Sequence, residues 1–219
     1  MDKSAPLKRT KTRSKRPRRS MPARSKAPSK NADLAAYQAK RDFAQTPEPR
    51  AKAAGKPPAK QAQLFVIQKH AARNLHYDFR LEMEGVLRSW AVPKGPPWQK
   101  GQARLAMHVE DHPLEYARFE GTIPKGEYGG GTVMVWDIGA YRVRDADPAE
   151  AYSQGKIPLQ LSGKKLKGDW VLVKTSRGGE TKQSWLLIKT GSDASPISSA
   201  QDDRSVLTGR SMQQIAADG

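Results

Sequence analysis

The stretch Gln68-Lys69-His70-Ala71-Ala72-Arg73-Asn74-Leu75-His76-Tyr77-Asp78-Phe79-Arg80-Leu81-Glu82-Met83 decides the fold. From Leu75 it alternates without a break. Leu75, Tyr77, Phe79, Leu81 and Met83 fall on one side, and His76, Asp78, Arg80 and Glu82 on the other. Period-two alternation marks a half-buried β-strand, whose successive side chains project to opposite faces. One face therefore carries an imidazole, a carboxylate and a guanidinium in a row. His70 lies six residues before His76, within reach of that face if the chain folds back. Two imidazoles and a carboxylate form a mixed nitrogen and oxygen donor set for a metal ion, with coordination positions left open. Arg80 beside them offers the planar fork that binds phosphate or carboxylate. The plainer alternative is a solvated sheet face, on which alternating polar residues are ordinary. Two His, an Asp and an Arg within eleven positions, in a chain with 4 His, weigh against it.

Working outward, the chain reads as strand after strand. Leu64–Ile67 is short and apolar, and Val86–Val92 follows a turn at Gly85. Pro93-Lys94-Gly95-Pro96-Pro97 is a loop. Arg104 to Glu110 alternates again, with Arg104 and Glu110 on one face. Tyr116–Glu120, Thr132–Asp137, Gly139–Arg144, Leu159–Leu161, Gly168–Lys174 and Trp185–Lys189 read as further strands. Asp147 caps a helical turn over Pro148–Gln154, with Pro148 at its first position. Gly126-Glu127-Tyr128-Gly129-Gly130-Gly131 lacks the Gly-Lys-Ser/Thr ending of a phosphate loop and reads as a hairpin connection. Many short strands with regular turn signals predict an all-β-dominated chain, an antiparallel barrel or sandwich.

Upstream, Asn31 to Ala44 reads as a short helix capped by Asn31 or Asp33, with Leu34, Tyr37 and Arg41 on one side. Thr46-Pro47-Glu48-Pro49 forces an extended course, and residues 50–63 read as a linker. The chain of 219 residues has net charge +17. Residues 1–30 hold 12 Lys and Arg against Asp2 alone. Residues 1–32, so basic and so poor in apolar groups, are expected to be disordered and to bind nucleic-acid backbone by counterion release. Lys15-Arg16-Pro17-Arg18-Arg19 imitates a nuclear signal. There is no Cys, hence no thiolate metal site. No apolar run approaches the roughly 18 to 20 residues of a membrane span. Residues 191–219 turn polar again and are expected to be weakly ordered, with one or two helix turns.

Glu110-Asp111-His112-Pro113 and Tyr116 make a second polar cluster. Read alone, Asp111-His112-Pro113 ends a strand. Beside the first cluster, His112 is a candidate fourth metal ligand or proton donor. Lys94 in its Pro/Gly loop would ordinarily be just solvated.

These blocks together closely resemble the 3′-phosphoesterase module of bacterial and archaeal DNA ligase D, which also occurs as a stand-alone protein. The resemblance rests on Gln68-Lys69-His70, Leu75–Glu82, Ser89–Pro96, Glu110–Tyr116, Gly126–Val133 and Trp185–Lys189. Arg41-Asp42-Phe43 and Thr46-Pro47-Glu48-Pro49 upstream also match, so coverage runs from about residue 33 to 217. It implies a compact antiparallel β-barrel with one or two short flanking helices: a basic tail at 1–32, the domain at 33–190 and a C-terminal segment at 191–219. It implies a metal-dependent hydrolase that removes a 3′-terminal ribonucleoside and then the 3′-phosphate, leaving a 3′-hydroxyl for repair. His70, His76 and Asp78 resemble the metal ligands, with Mn2+ expected and Zn2+ or Co2+ compatible. Arg80, Arg104, Lys94, His112 and Tyr116 resemble the phosphate-contacting and catalytic set. Glu110 resembles an essential carboxylate, and Asp42 and Glu48, with Arg41 beside them, resemble an acidic segment folding over the site. The implied partners are DNA 3′ ends and primer-templates, with a DNA ligase or polymerase and an end-binding protein. A cytoplasmic, nucleoid-associated monomer with no membrane partner is expected.

Two other readings stay open on the residues alone. His76-x-Asp78 with distal His112 is the two-His, one-carboxylate pattern of non-haem iron oxygenases, although the Arg and Lys set suits phosphate better. A non-catalytic nucleic-acid-binding barrel also fits the charge, but clustered stacking aromatics do not stand out.

Overall fold

The alternation around His76 builds the middle strand of an antiparallel meander. The computed structural model describes residues 1, 34–51, 63–175, 184–192 and 196–219. In it β1 (Gln63–Ala71), β2 (Leu75–Met83) and β3 (Val86–Val92) pair in sequence order. β4 (Ala103–His108) lies between β3 and β9 (Ser184–Lys189), followed by β8 (Lys167–Lys174), β7 (Lys156–Gly163) and β6 (Gly131–Val143). β6 then pairs with β1 and closes an eight-stranded antiparallel barrel, to which β5 (Gly121–Ile123) adds a short ninth strand. The basic tail, the caps expected at Asn31 and Asp33, and linker residues 52–62 lie outside the described residues.

Closure depends on the length of β6. Its 13 residues run beside β1 on one edge, while the other edge serves β5 first and β7 later. The sequence suggests two strands parted near Gly139, but Gly139 stays within one. A Cβ there would strike the carbonyl of Ser162 on β7, so this glycine permits close approach and breaks nothing. Inside the barrel, Phe65, Phe79, Trp90, Trp136, Trp170 and Trp185 are fully buried in one cluster. Each phenylalanine so buried contributes roughly 1.5–3 kcal/mol.

A second, smaller core lies outside the barrel wall and positions the site. Helix α1 (Ala35–Ala39) buries Tyr37 against a cluster containing Val66, Leu87, Tyr116 and Val135. The Tyr37 hydroxyl donates to the carbonyl of Pro49 at 2.7 Å, pinning the extended segment around Thr46–Pro49. The strand expected over Tyr116–Glu120 is a 3-10 helix at Leu114–Arg118 instead. Pro113 starts it by accepting from the Tyr116 amide at 3.0 Å, and Tyr116 and Ala117 face the same outer core.

Helix α2 (Pro148–Ser153) begins as read, with the Asp147 side chain accepting from the amides of Ala149 and Glu150. Two capped helices follow the barrel, α3 (Ser199–Asp202) and α4 (Met212–Ala217). Where described, the segment read as weakly ordered docks on the barrel. Asp202 accepts from Lys69, Tyr77 and Trp136, and Ile215 enters the main core. No described helix is long and apolar enough to cross a membrane.

His108 ends β4 against Trp90, its Nε2 2.9 Å from the Tyr152 hydroxyl. Burial, then the charges of Arg88 and Lys174, push its imidazole down to about 4. The unfolded chain takes up that proton near pH 6.5. The group's contribution is thus whole above pH 6.5 and drains away as pH falls toward 4. His108→Gln should therefore flatten the fall in thermal midpoint between pH 7 and 5 by roughly a few degrees. Parallel falls in the two proteins would count against it.

Candidate active site

The site is built on the outer face of the β1–β2–β3 meander. The hairpin register sets His70 directly opposite His76, Gln68 opposite Asp78, and Arg80 opposite Ser89. Opposed residues share a sheet face, so the polar side chains of three strands converge. His70 belongs to a strand and reaches His76 across the ladder, where the sequence alone allows only a fold-back of unknown geometry.

One ligand atom each from His70, His76 and Asp78 lies within 4.8 Å of the others, and the three could hold a metal ion. The carboxylate oxygens of Asp78 lie 3.7 Å from His70 Nδ1 and 3.7 Å from His76 Nε2. The other ring nitrogens are committed. His70 Nε2 lies 2.8 Å from the carbonyl of Gly129, and His76 Nδ1 lies 2.9 Å from that of Asn74. A carbonyl only accepts, so each of those nitrogens carries the hydrogen and turns its partner's lone pair toward Asp78. That is the arrangement of metal-ligating histidines, whose second nitrogen is held by a carbonyl or carboxylate. Burial by itself would raise the Asp78 carboxyl. The Arg80 guanidinium beside it outweighs burial and holds the group well below the usual range.

Arg80 ties this group to the rest of the site. Its Nη2 donates to Asp78 at 3.0 Å, its Nε to Gln68 at 2.8 Å and its Nη1 to Ser89 at 2.8 Å. Nη1 also lies 2.8 Å from His112 Nδ1. A guanidinium has five N–H groups, so these contacts leave one Nη2 hydrogen for a ligand. Gln68 is held in turn by donating to the carbonyls of Tyr116 and Phe119.

Helix α1 supplies the opposite wall. Arg41 follows it, 3.8 Å over the ring of Tyr37, and donates through Nε to buried Glu48 at 2.8 Å. Its Nη1 reaches the carbonyl of Tyr37 and, at 3.5 Å, Glu110; its Nη2 lies 3.4 Å from His112 Nε2. Glu48 also accepts from Thr46, so it positions Arg41 and does not itself present a free oxygen. Glu110 accepts from Lys40 and from the Tyr128 hydroxyl, both at 3.2 Å. Burial, then Arg80 and Arg41, push the His112 imidazole well below its ordinary value. The buried Tyr116 ring packs edge-on to His112, and its hydroxyl has no hydrogen bond among the described residues. All these walls enclose a cavity of about 310 Å3.

Three expected members are not brought to the cavity. Arg104 lies opposite Leu187, on the face of β4 that buries Ala106. Strand parity does not carry from Arg104 to Glu110. His108 pairs with Trp90 but His112 bridges Leu87, so four steps on one chain meet three on the other. The extra residue turns Glu110 and His112 outward, as a bulge does. Lys94 is exposed in its loop and absent from the lining. Asp42 spends its carboxylate on the amide of Ala44, as a turn cap. His112 faces Arg80 and not the metal group, so it is no fourth ligand there, and the oxygenase pattern of His76, Asp78 and His112 is not assembled. Residues that the sequence reading missed are Gln68, Ser89 and Tyr128. The only signal for Tyr128 is its place in a glycine-rich turn.

Residues 68–174 match the family described as the DNA Ligase D 3'-phosphoesterase domain. Similar proteins include the multifunctional non-homologous end joining protein LigD of Pseudomonas aeruginosa, 51% identical over 159 residues, 71% of this chain and 18% of that one. The corresponding DNA repair protein LigD of Mycobacterium tuberculosis is 48% identical over 145 residues, 65% of this chain and 18% of its own. LigD of Mycolicibacterium smegmatis is 46% identical over 147 residues, 65% and 19%. The chain thus spans about a fifth of the length of these relatives. Residues 68–174, which include His70, His76, Asp78, Arg80 and His112, belong to the DNA ligase D 3′-phosphoesterase domain family.

Proposed function

We propose that the chain is a metal-dependent phosphoesterase that heals DNA 3′ ends, removing a 3′-terminal ribonucleoside, a 3′-phosphate, or each in turn, to leave a 3′-hydroxyl. The supporting observation is a two-His, one-Asp group and two guanidiniums around one cavity. That cavity sits at the small end of ligand sites, so it suits the end of a strand and not a duplex. A bound divalent ion, with Mn2+ expected and Zn2+ or Co2+ suited to the same donors, would polarise a phosphoryl oxygen and lower the pKa of a water. Arg41 and the remaining Nη2 hydrogen of Arg80 hold other phosphoryl oxygens and favour the charge that gathers there. Glu48 and Glu110 keep Arg41 aimed, and Tyr116 offers a hydroxyl to an oxygen at the cavity wall. In hydrolysis a water oxygen bonds to phosphorus as the bond from phosphorus to the ester oxygen breaks, and a proton given up by that water ends on the departing oxygen as the hydroxyl.

DNA ends and primer-templates are the proposed substrates. A separate DNA ligase or polymerase and an end-binding protein are the proposed partners. The proposed setting is the cytoplasmic nucleoid, with the protein as a monomer and its domain at 33–190. The 1–32 tail adds nucleic-acid backbone contact.

Dialysed protein should be given primer-templates ending in a 3′-phosphate or in one ribonucleotide, with and without Mn2+. The expected product is a 3′-hydroxyl end that a polymerase extends, formed only with metal. No conversion with any divalent ion, or full conversion in chelator, would overturn the reading.

A further inference from the structure

Among the described residues, four large apolar side chains are strongly exposed: Met1, Leu75, Leu105 and Tyr128. Of these only Tyr128 lines the cavity. Its residue is 45% exposed, although its hydroxyl is fully engaged, donating to Glu110 at 3.2 Å and accepting from Lys40 at 3.1 Å. The tip is fixed and the ring is left at the mouth. The backbone beneath is fixed as well. Glu127 donates to Pro124 and Gly130 to Glu127, and Gly129 takes a φ of +78° that side chains rarely adopt. The next carbonyl along, that of Gly129, holds His70 at 2.8 Å. One short loop therefore sets both a ligand of the metal group and an open aromatic ring.

We infer that Tyr128 is the platform on which the base of the strand's terminal nucleoside stacks. The inference rests on the proposed end-healing function and adds how the end is recognised. A cavity of about 310 Å3 that takes the phosphate and its sugar leaves the base at the mouth, where the ring waits. Every base has a π-face, so such a platform tolerates any sequence and still demands that a base be present. Lys40 lies over the ring at 4.5 Å from its centroid and Arg41 at 5.5 Å, so positive charge flanks the platform, as a strand's backbone would require.

The test compares two oligonucleotides that differ only in the last residue, a normal nucleoside 3′-phosphate or an abasic 3′-phosphate. Full-length wild type, Tyr128→Ala and Tyr128→Phe are assayed with Mn2+ for turnover, and by anisotropy for affinity. Stacking is worth roughly 5- to 100-fold per base. Tyr128→Ala is expected to raise KM by that factor on the base-bearing end, with kcat moving within about threefold. On the abasic end the difference from wild type should shrink to about twofold or less. Tyr128→Phe, which keeps the ring and loses the contact to Glu110, should restore the low KM. Equal losses on both ends, or Tyr128→Phe behaving like Tyr128→Ala, would show that the residue acts through Glu110 and sink the platform. If no oligonucleotide turns over, the end-healing reading fails. The platform then stands or falls on whether wild type, and not Tyr128→Ala, binds the base-bearing end more tightly.

Discussion

His76→Ala should abolish Mn2+-dependent phosphate release, by on the order of 10³-fold or more, and leave the fold intact. A Lewis-acid contribution of several kcal/mol to a phosphoryl reaction vanishes with the ion that supplies it. His76 is the right place to remove it. Its side chain is 22% exposed, whereas those of His70 and Asp78 are nearly closed off at 8% and 9%. Its Nδ1 bonds only the nearby Asn74 carbonyl, so the truncation orphans no buried partner. Asp78→Ala would be harder to read, because it also strips Arg80 of its carboxylate in a buried setting, and breaking such a pair costs about 3–5 kcal/mol. Asp78→Asn keeps a hydrogen-bond acceptor for Arg80 but leaves its charge uncompensated, and should lose metal binding with a smaller fall in thermal midpoint than Asp78→Ala. Titration of Mn2+ by calorimetry checks both variants. Wild-type affinity in either would reject the His-His-Asp group as the metal site.

Much of that group was legible because strand alternation is a local property. Leu75 to Met83 declares both faces of β2, and the outward face carries His76, Asp78 and Arg80. The position of His70 was not legible, since it depends on a register that residues 72–74 set in space. Glu110 and His112 could be named as candidates, but the reason they share the cavity is an extra residue after His108 that no periodicity reveals. The same blindness made Arg104 look like a neighbour of Glu110. Parity fails wherever a bulge intervenes. Barrel closure was visible as a class and not as a topology, because Gly139 in the middle of β6 reads as a break until Ser162 is seen beside it. Contacts between segments far apart in the chain, such as Lys40 with Tyr128 and Arg41 with His112, leave no trace in local pattern.

His112→Ala is expected to lower kcat by roughly 10²- to 10³-fold while Mn2+ affinity holds, and its pH dependence decides what the imidazole does. Both ring nitrogens face guanidiniums, Nδ1 toward Arg80 at 2.8 Å and Nε2 toward Arg41 at 3.4 Å. Nδ1 also lies 2.9 Å from the Glu110 carbonyl. Burial and the two guanidiniums hold the imidazole well below its ordinary value, so the ring of the free protein is neutral at neutral pH. Whichever nitrogen carries the neutral ring's single hydrogen, Nε2 lies at the cavity beside Arg41. A ring that enters neutral can orient the phosphate or accept a proton, but it brings none to the leaving oxygen. If catalysis instead needed the imidazolium from the start, the reactive fraction would grow tenfold for each unit of acidification above its depressed pKa. The ratio of wild-type to His112→Ala kcat/KM, which cancels titration of any metal-bound water, reports this for the free enzyme. We expect a ratio that is level between pH 8 and 6. A ratio climbing tenfold per unit toward acid would make His112 the general acid and would mean that the guanidiniums do not set its proton.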